Sequence, residues 1–370
     1  MASDSAAAPA LDVLIVSLGA TQGLRAADRE LRDSLARAGA RVEIAQARPP
    51  RQLRTLMLTD LAWARAARAA ALRNLAQPGH SPPRAIVYSS TTAALLWPRP
   101  GAIRFDAPSA GNRPGHHGLW QRPLERRRLA QASLLLPWSE GGLLEAPEAA
   151  RGGDRALVLP VAVEPSGPMQ SSRDRDIAAV TYAANPTKKG LDRVLAAWSR
   201  VRDELSPDAP RELVVAGLSA SQFHASVQDG GEWGSPSLGM GVDGVAGVRT
   251  AGVLAPAEFR ALLRRARVFI CAPRREDYGI AQLEALAEGC MLVTTPAPGP
   301  YVALPIARSL DARLVSEDLA GALRAALLEA PIGYAVRARE AMTPFGREAV
   351  DRLVGERLLP RLLTRYATAG

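Results

Sequence analysis

The stretch Arg267-Val-Phe-Ile-Cys-Ala-Pro-Arg-Arg-Glu-Asp-Tyr-Gly-Ile-Ala-Gln-Leu-Glu-Ala-Leu-Ala-Glu-Gly-Cys-Met-Leu-Val-Thr-Thr295 reads as a buried strand, a polar loop, a helix and a second buried strand. Its apolar runs are short and continuous, as strands covered on both faces require, and the residues between them follow a helical period. Glu276 falls in the loop and Glu284 about a turn and a half into the helix. A helix start offers unpaired backbone N–H groups and the positive end of a dipole, which suit a diphosphate, while carboxylates accept hydrogen bonds from sugar hydroxyls. As an isolated pair these acids could equally be a cap and a surface charge. Apolar neighbours on both sides of Glu284 argue instead for a packed helix, and a packed acid needs a partner.

Upstream, Val180-Thr-Tyr-Ala-Ala-Asn-Pro-Thr-Lys-Lys-Gly-Leu-Asp192 repeats the strand, loop and helix-start pattern. Lys188 and Lys189 are the only lysines in the chain. A compact ammonium can meet a diphosphate oxygen end-on, whereas two cations at the positive end of a helix are mildly unfavourable without an anion. The alternation extends in both directions. Strands are expected at Ile177–Ala183, Glu212–Ala216, Val248–Ala251, Arg267–Cys271, Met291–Thr295 and, briefly, Leu314–Val315, with helices at Gly190–Leu205, Pro256–Ala266, Gly279–Glu288 and Asp318–Leu328. The first half carries strands at Leu11–Leu18, Arg41–Ala45, Ala85–Ser89, Ala102–Asp106, Ser133–Trp138 and Ala156–Val161, and helices at Arg25–Ala38, Leu53–Leu75, Thr92–Trp97 and Trp120–Gln131. This predicts an α/β chain of two tandem doubly wound, Rossmann-like domains. Residues 1–10 read as a disordered tail, 11–165 as the first domain, 175–345 as the second, and 346–370 as a helix packing back on the first. The polar, turn-rich run Glu164–Asp174 reads as the linker, and Gln228–Gly247 as a flexible insertion.

A length of 370 residues suits two domains, and 47% hydrophobic against 22% charged residues is a globular balance. The net charge of +9 admits nucleic acid, anionic lipid or phosphate ligands, but the arginines are dispersed rather than blocked, as in a solvated basic surface. Cys271 and Cys290 are too few for a disulfide framework, so a reducing compartment is expected. Neither a signal peptide nor a membrane span is legible. The sequence points to the cytoplasm, with the inner face of the plasma membrane as a second setting. There, the basic helix Arg51–Leu75 would touch lipid with Leu53, Leu56, Leu58, Leu61 and Trp63 among Arg51, Arg54, Arg65, Arg68 and Arg73; an ordinary amphipathic helix facing the sheet is the plainer account.

The spacing from Glu276 to Glu284 closely resembles the Glu, seven residues, Glu motif of glycosyltransferase family 4, and Lys189-Gly190 resembles that family's Lys-Gly element. Thr250-Ala-Gly-Val-Leu254 before Pro256 and the helix exit Glu288-Gly289-Cys290 are similar to further pieces of it. The resemblance covers Ile177 to Leu328 and implies a GT-B architecture and a retaining, metal-free transfer from a nucleoside-diphosphate sugar. It places Glu276 near the donor sugar, Glu284 on the ribose hydroxyls, the base against Val253 and Leu254, and a diphosphate on Lys189, with Lys188, Tyr278, Gly279 and Ile280 completing the donor set. The glycine loop usual after the family's first strand falls at Gly19. Asp106, counted with Lys189 and Glu276 as a candidate catalytic group, and His116 and His117 lie where the acceptor side is expected; a turn role is the plain alternative for each. One departure is Ala184, where the family commonly has arginine; Arg274 or Arg275 are the candidate replacements.

The expected partners are the sugar nucleotide and a glycan, lipid-linked or small-molecule acceptor, with no specific nucleic acid and no metal or other cofactor. The histidines have no zinc spacing, and Asp174-Arg-Asp176 falls in the linker rather than after a buried strand. Two other classes stay open: a sugar-nucleotide epimerase, and a non-catalytic basic protein binding nucleic acid or membrane.

Overall fold

The computed structural model describes residues 11–51, 53–77, 81–113, 115–171, 174–228 and 246–367. They divide into two compact α/β units: one runs up to Ala162 and takes in the residues from Phe345 onward, and the other is Val163–Pro344.

In the first unit, β1 (Val13–Ser17), β2 (Val42–Gln46), β3 (Ala85–Tyr88), β4 (Ala102–Phe105) and β5 (Leu135–Pro137) form a parallel sheet in the order β2-β1-β3-β4-β5. Successive residues of a strand face opposite sides, and β1 uses both. Leu14 and Val16 join a core with Ala67, Ala70 and Ala71 of the helix Leu56–Leu75. Val13 and Ile15 pack with Leu31 and Leu35 of the helix Gln22–Arg37 and with Val350, Val354 and Leu358 near the carboxyl terminus.

That terminal segment is also clamped by charge. Asp351 accepts from Ser34 Oγ at 2.5 Å and from Arg37 Nε and Nη2 at 2.6 and 2.8 Å. The hydrogen bonds from Arg37 hold the Asp351 carboxyl below its ordinary range. A depressed folded value stabilises above the unfolded value of about 3.9 and fades as pH falls through the folded one. Because Arg37 is 41% exposed, the gain is screened to about 1 kcal/mol or less. Asp351→Asn is therefore expected to lower the first unit's melting temperature by roughly 2–4 °C at pH 7, with the gap to wild type closing as pH falls below the unfolded value and through the lower folded one; scanning calorimetry at pH 7 and across an acid series checks this.

The second unit contains β6 (Ile177–Tyr182), β7 (Leu213–Ala216), β8 (Val248–Gly252), β9 (Ala266–Cys271) and β10 (Met291–Thr294), parallel and ordered β10-β9-β6-β7-β8. The winding reverses between β6 and β9. In such sheets ligands bind beyond the carboxyl ends of the strands at that reversal.

Several sequence expectations need correction. Ala156–Val161 makes only a single bridge, Leu135↔Ala156, because Pro137 and Pro160 cannot donate to a ladder. Leu314–Val315 is likewise one bridge, Thr294↔Val315, after a 3-10 turn at Ala312–Leu314. The run Glu164–Asp174 belongs largely to the second unit: Ser166 N donates to Glu288 Oε1 at 2.8 Å, and Arg339 Nη2 donates to the Gly167 carbonyl at 2.8 Å. The helix Ala303–Leu310 was not legible, since Pro305 reads as a breaker although the first turn of a helix tolerates it. The tail 1–10 and most of the insertion Gln228–Gly247 lie outside the described residues.

Candidate donor site in the second unit

Lys189 follows β6 and Glu276 follows β9, so the two flank the reversal. Asn185 caps the short helix Pro186–Lys189 by accepting from Lys188 N, and the chain then turns at Gly190 with φ of +65°. A Cβ at Gly190 would run into the Ala272 carbonyl, so glycine is needed both for the turn and for the approach of this loop to the end of β9. A second crossing has the same demand. Glu276 N donates to the Pro298 carbonyl at 3.0 Å, and a Cβ on Gly299, whose φ is +107°, would strike the Glu276 carbonyl. The buried Glu276 is thus fixed through its backbone.

Its side chain closes the site. Lys189 Nζ lies 2.6 Å from Glu276 Oε2, and Gln282 Nε2 donates to the same oxygen at 2.9 Å. Lys188 instead pairs with Asp277 at 2.8 Å, where Arg275 Nε also bonds at 2.8 Å. Burial raises the Asp277 carboxyl, but the charges of Lys188 and Arg275 outweigh it and hold the group below its usual value. Tyr278 is buried, Gly279 (φ +92°) precedes the helix Ile280–Ala287, and Ile280 opens it, half-buried.

Glu284 stands in a second cluster. Its carboxylate is 3.5 Å from Arg260 Nη1, and Arg260 Nε bonds Glu288 Oε1 at 2.9 Å. Burial pushes the Glu284 carboxyl up, Arg260 pulls it down, and the charge of Glu288 adds to the rise. Burial also raises the Tyr182 phenol at the end of β6, helped by the negative charge of Glu284. Val253 is exposed and Leu254 half-buried, directly after β8. Lys189 and Glu276 are therefore brought together, whereas no hydrogen bond or ion pair among the described residues joins them to Glu284.

The remaining candidates belong to the first unit. Gly19 turns the chain after β1 with φ of +57°, and its carbonyl accepts from Arg25 Nη1 at 2.6 Å. Asp106, just past β4, accepts from Ala107 N at 2.8 Å in a turn. The His116 and His117 rings lie 4.1 Å apart in the 3-10 turn Gly115–Gly118.

Neither proposed replacement for the missing arginine is available as placed. Arg274 bonds both oxygens of Asp192 at 3.1 and 2.9 Å and the Thr187 carbonyl at 2.7 Å, and Arg275 is engaged by Asp277. Sequence reading also missed Gln282, Asp277 and Arg260. Gln282, six residues past Glu276, had a signal as the one polar residue besides Glu284 in the helix Ile280–Ala287; Arg260 comes from a separate helix, Pro256–Arg265, with no spacing cue. Among the described residues no cluster of three His, Cys, Asp or Glu could hold a metal, and no helix is long and apolar enough to cross a membrane.

Residues 175–330 match the family model described as glycosyl transferases group 1. No curated protein matches the chain. Among solved structures, WaaG, a glycosyltransferase involved in lipopolysaccharide biosynthesis, is 15% identical with a TM-score of 0.65, over 93% of this chain and 100% of that one. Anabaena Alr3699/HepE in complex with UDP and glucose is 14% identical with a TM-score of 0.64, over 94% and 99%. Sucrose-phosphate synthase from Thermosynechococcus elongatus is 15% identical with a TM-score of 0.61, over 98% and 100%. The chain thus has the fold of the GT-B glycosyltransferases, and its residues 175–330 are similar to the glycosyl transferases group 1 family.

Proposed function

We propose that the protein transfers a glycosyl group from a nucleoside-diphosphate sugar to an acceptor hydroxyl, with retention and without a metal ion. The observation that carries this reading is the Lys189–Glu276 pair at the reversal of the second sheet, inside the segment that matches the group 1 family model. The HepE structures described as complexes with UDP, glucose and UDP-glucose support a sugar nucleotide as the donor.

The leaving diphosphate develops negative charge as the glycosidic bond breaks. Lys189 and the backbone N–H groups at the start of the helix Ile280–Ala287 would stabilise it without cation chemistry. A diphosphate carries more charge than the Glu276 carboxylate, so Lys189 can exchange one partner for the other and release Glu276 to accept from sugar hydroxyls. Glu284 takes the ribose diol, and the base rests against Val253 and Leu254. Asp106, His116 and His117 are assigned to the acceptor side.

A lipid-linked acceptor is favoured by one feature of the first unit. The helix Leu56–Leu75 buries Ala64, Ala67, Ala70 and Ala71 and leaves Leu56, Leu58 and Leu72 exposed, beside Leu53 and the arginines of the same stretch.

A thermal-shift panel of uridine, guanosine and adenosine diphosphates tests the donor assignment. One of them at 100 times its Kd is expected to stabilise the second unit by about 2.7 kcal/mol, and EDTA should not change the shift. No stabilisation by any of the three would overturn the reading. Alteration of the sugar nucleotide without acceptor would identify an epimerase instead.

A further inference from the structure

At the end of the second sheet opposite the donor site, where β9 and β10 begin, lies a hollow of about 540 Å³, within the range of small-molecule pockets. Buried Ala326 and Tyr334, with Met291 and Leu327, line its inner part. The Tyr334 hydroxyl accepts from Leu292 N at 3.2 Å, which anchors the covering loop to β10. At the mouth the lining continues into Ile332, 94% exposed, and Val336, also exposed. Such an apolar continuation from interior to surface is the shape expected of a ligand entry rather than of a closed core.

The polar lining is one-sided. Arg175 commits its guanidinium to the carbonyls of Ala266, Glu288 and Leu263. Arg267 differs: its Nε donates to the Arg175 carbonyl at 3.3 Å, and its terminal nitrogens have no partner among the described residues. The Gln170 amide oxygen, also at the hollow, is buried without a hydrogen-bond partner. No acidic side chain among the described residues lines the hollow to balance Arg267.

We propose that this hollow binds an amphiphile with a single acyl chain and an anionic head, the chain lying along Met291, Leu327 and Tyr334 and the head meeting Arg267. A carboxylate or phosphate monoester matches a guanidinium through two parallel hydrogen bonds. The size of the hollow and its buried floor favour one chain entering end-on over a patch lying flat on a bilayer. This site is separate from the donor site and does not depend on the glycosyl-transfer reading.

Decanoate is the probe, titrated calorimetrically and by thermal shift on the full chain, with decanol and inorganic phosphate as controls. Saturable decanoate binding is expected, with either control at least about ten-fold weaker, because each lacks one of the two recognised features. Arg267→Gln should weaken decanoate by about ten-fold or more. Ala330→Trp, at the exposed mouth, should block it, while both variants keep the wild-type circular-dichroism spectrum and cooperative melting as evidence of folding. Absence of decanoate binding, equal affinity for decanol, or indifference to both substitutions would each overturn the proposal. Binding only to anionic vesicles, with none to monomeric decanoate, would also overturn it by pointing to a bilayer surface.

Discussion

Lys189→Ala should weaken binding of the preferred nucleoside diphosphate by about ten-fold or more, since a hydrogen bond to a charged group contributes roughly 1.5–3 kcal/mol. Glycosyl transfer should fall further than binding, because the charge on the diphosphate grows as it leaves and Lys189 is worth most at that moment. Lys188→Ala is the matched control. Its side chain is 42% exposed against 21% for Lys189, and it serves Asp277 rather than the carboxylate at the sheet reversal. Lys189→Arg should recover only part of the loss, because a planar fork cannot replace a point charge packed beside Glu276 and Gln282. Equal behaviour of Lys188→Ala and Lys189→Ala in isothermal titration would remove Lys189 from the site.

Much of this architecture was readable from local pattern. Strand, loop and helix alternate with short apolar runs, and parallel sheets follow because helical crossovers leave few other arrangements. Lys189 and Glu276 were legible for the same reason: each follows a buried strand, and parallel strands put their following loops along one edge. What pairs with what was not legible. Glu284 had an evident need for a partner, but Arg260 lies 24 residues earlier on another helix, and only the packing of that helix beside Ile280–Ala287 brings the two together. Arg274 and Arg275 show the converse. Both looked like free cations in the sequence, and both are held by Asp192 and Asp277.

Arg175 stands in the sequence between two aspartates of an apparent linker, yet its replacement should cost the second unit far more stability than the loss of a surface ion pair. The side chain is 4% exposed. It donates to the Glu288 carbonyl at 2.6 Å, to the Leu263 carbonyl at 3.4 Å and to the Ala266 carbonyl, and reaches Cys290 Sγ at 3.6 Å. These acceptors lie at the ends of the helices Pro256–Arg265 and Ile280–Ala287, where the last carbonyls of a helix have no partner within it. Arg175→Met keeps much of the aliphatic volume but removes the guanidinium donors; the Leu263 carbonyl keeps the Ala266 N–H and the Cys290 thiol, whereas the Ala266 and Glu288 carbonyls lose a charge-assisted hydrogen bond at a cost of about 1–3 kcal/mol each. Partial relaxation and water entry reduce the sum, so a loss of about 3–5 kcal/mol is expected, read as a lower urea midpoint for the second unit by tryptophan fluorescence, with Trp198 as its buried reporter. The same helix Ile280–Ala287 carries Glu284 and, at its start, the N–H groups assigned to the diphosphate. Partial loosening should therefore also weaken nucleoside diphosphate binding under conditions where the variant remains folded. A variant as stable as wild type would show that these helix ends find other donors and that Arg175 is dispensable to the fold.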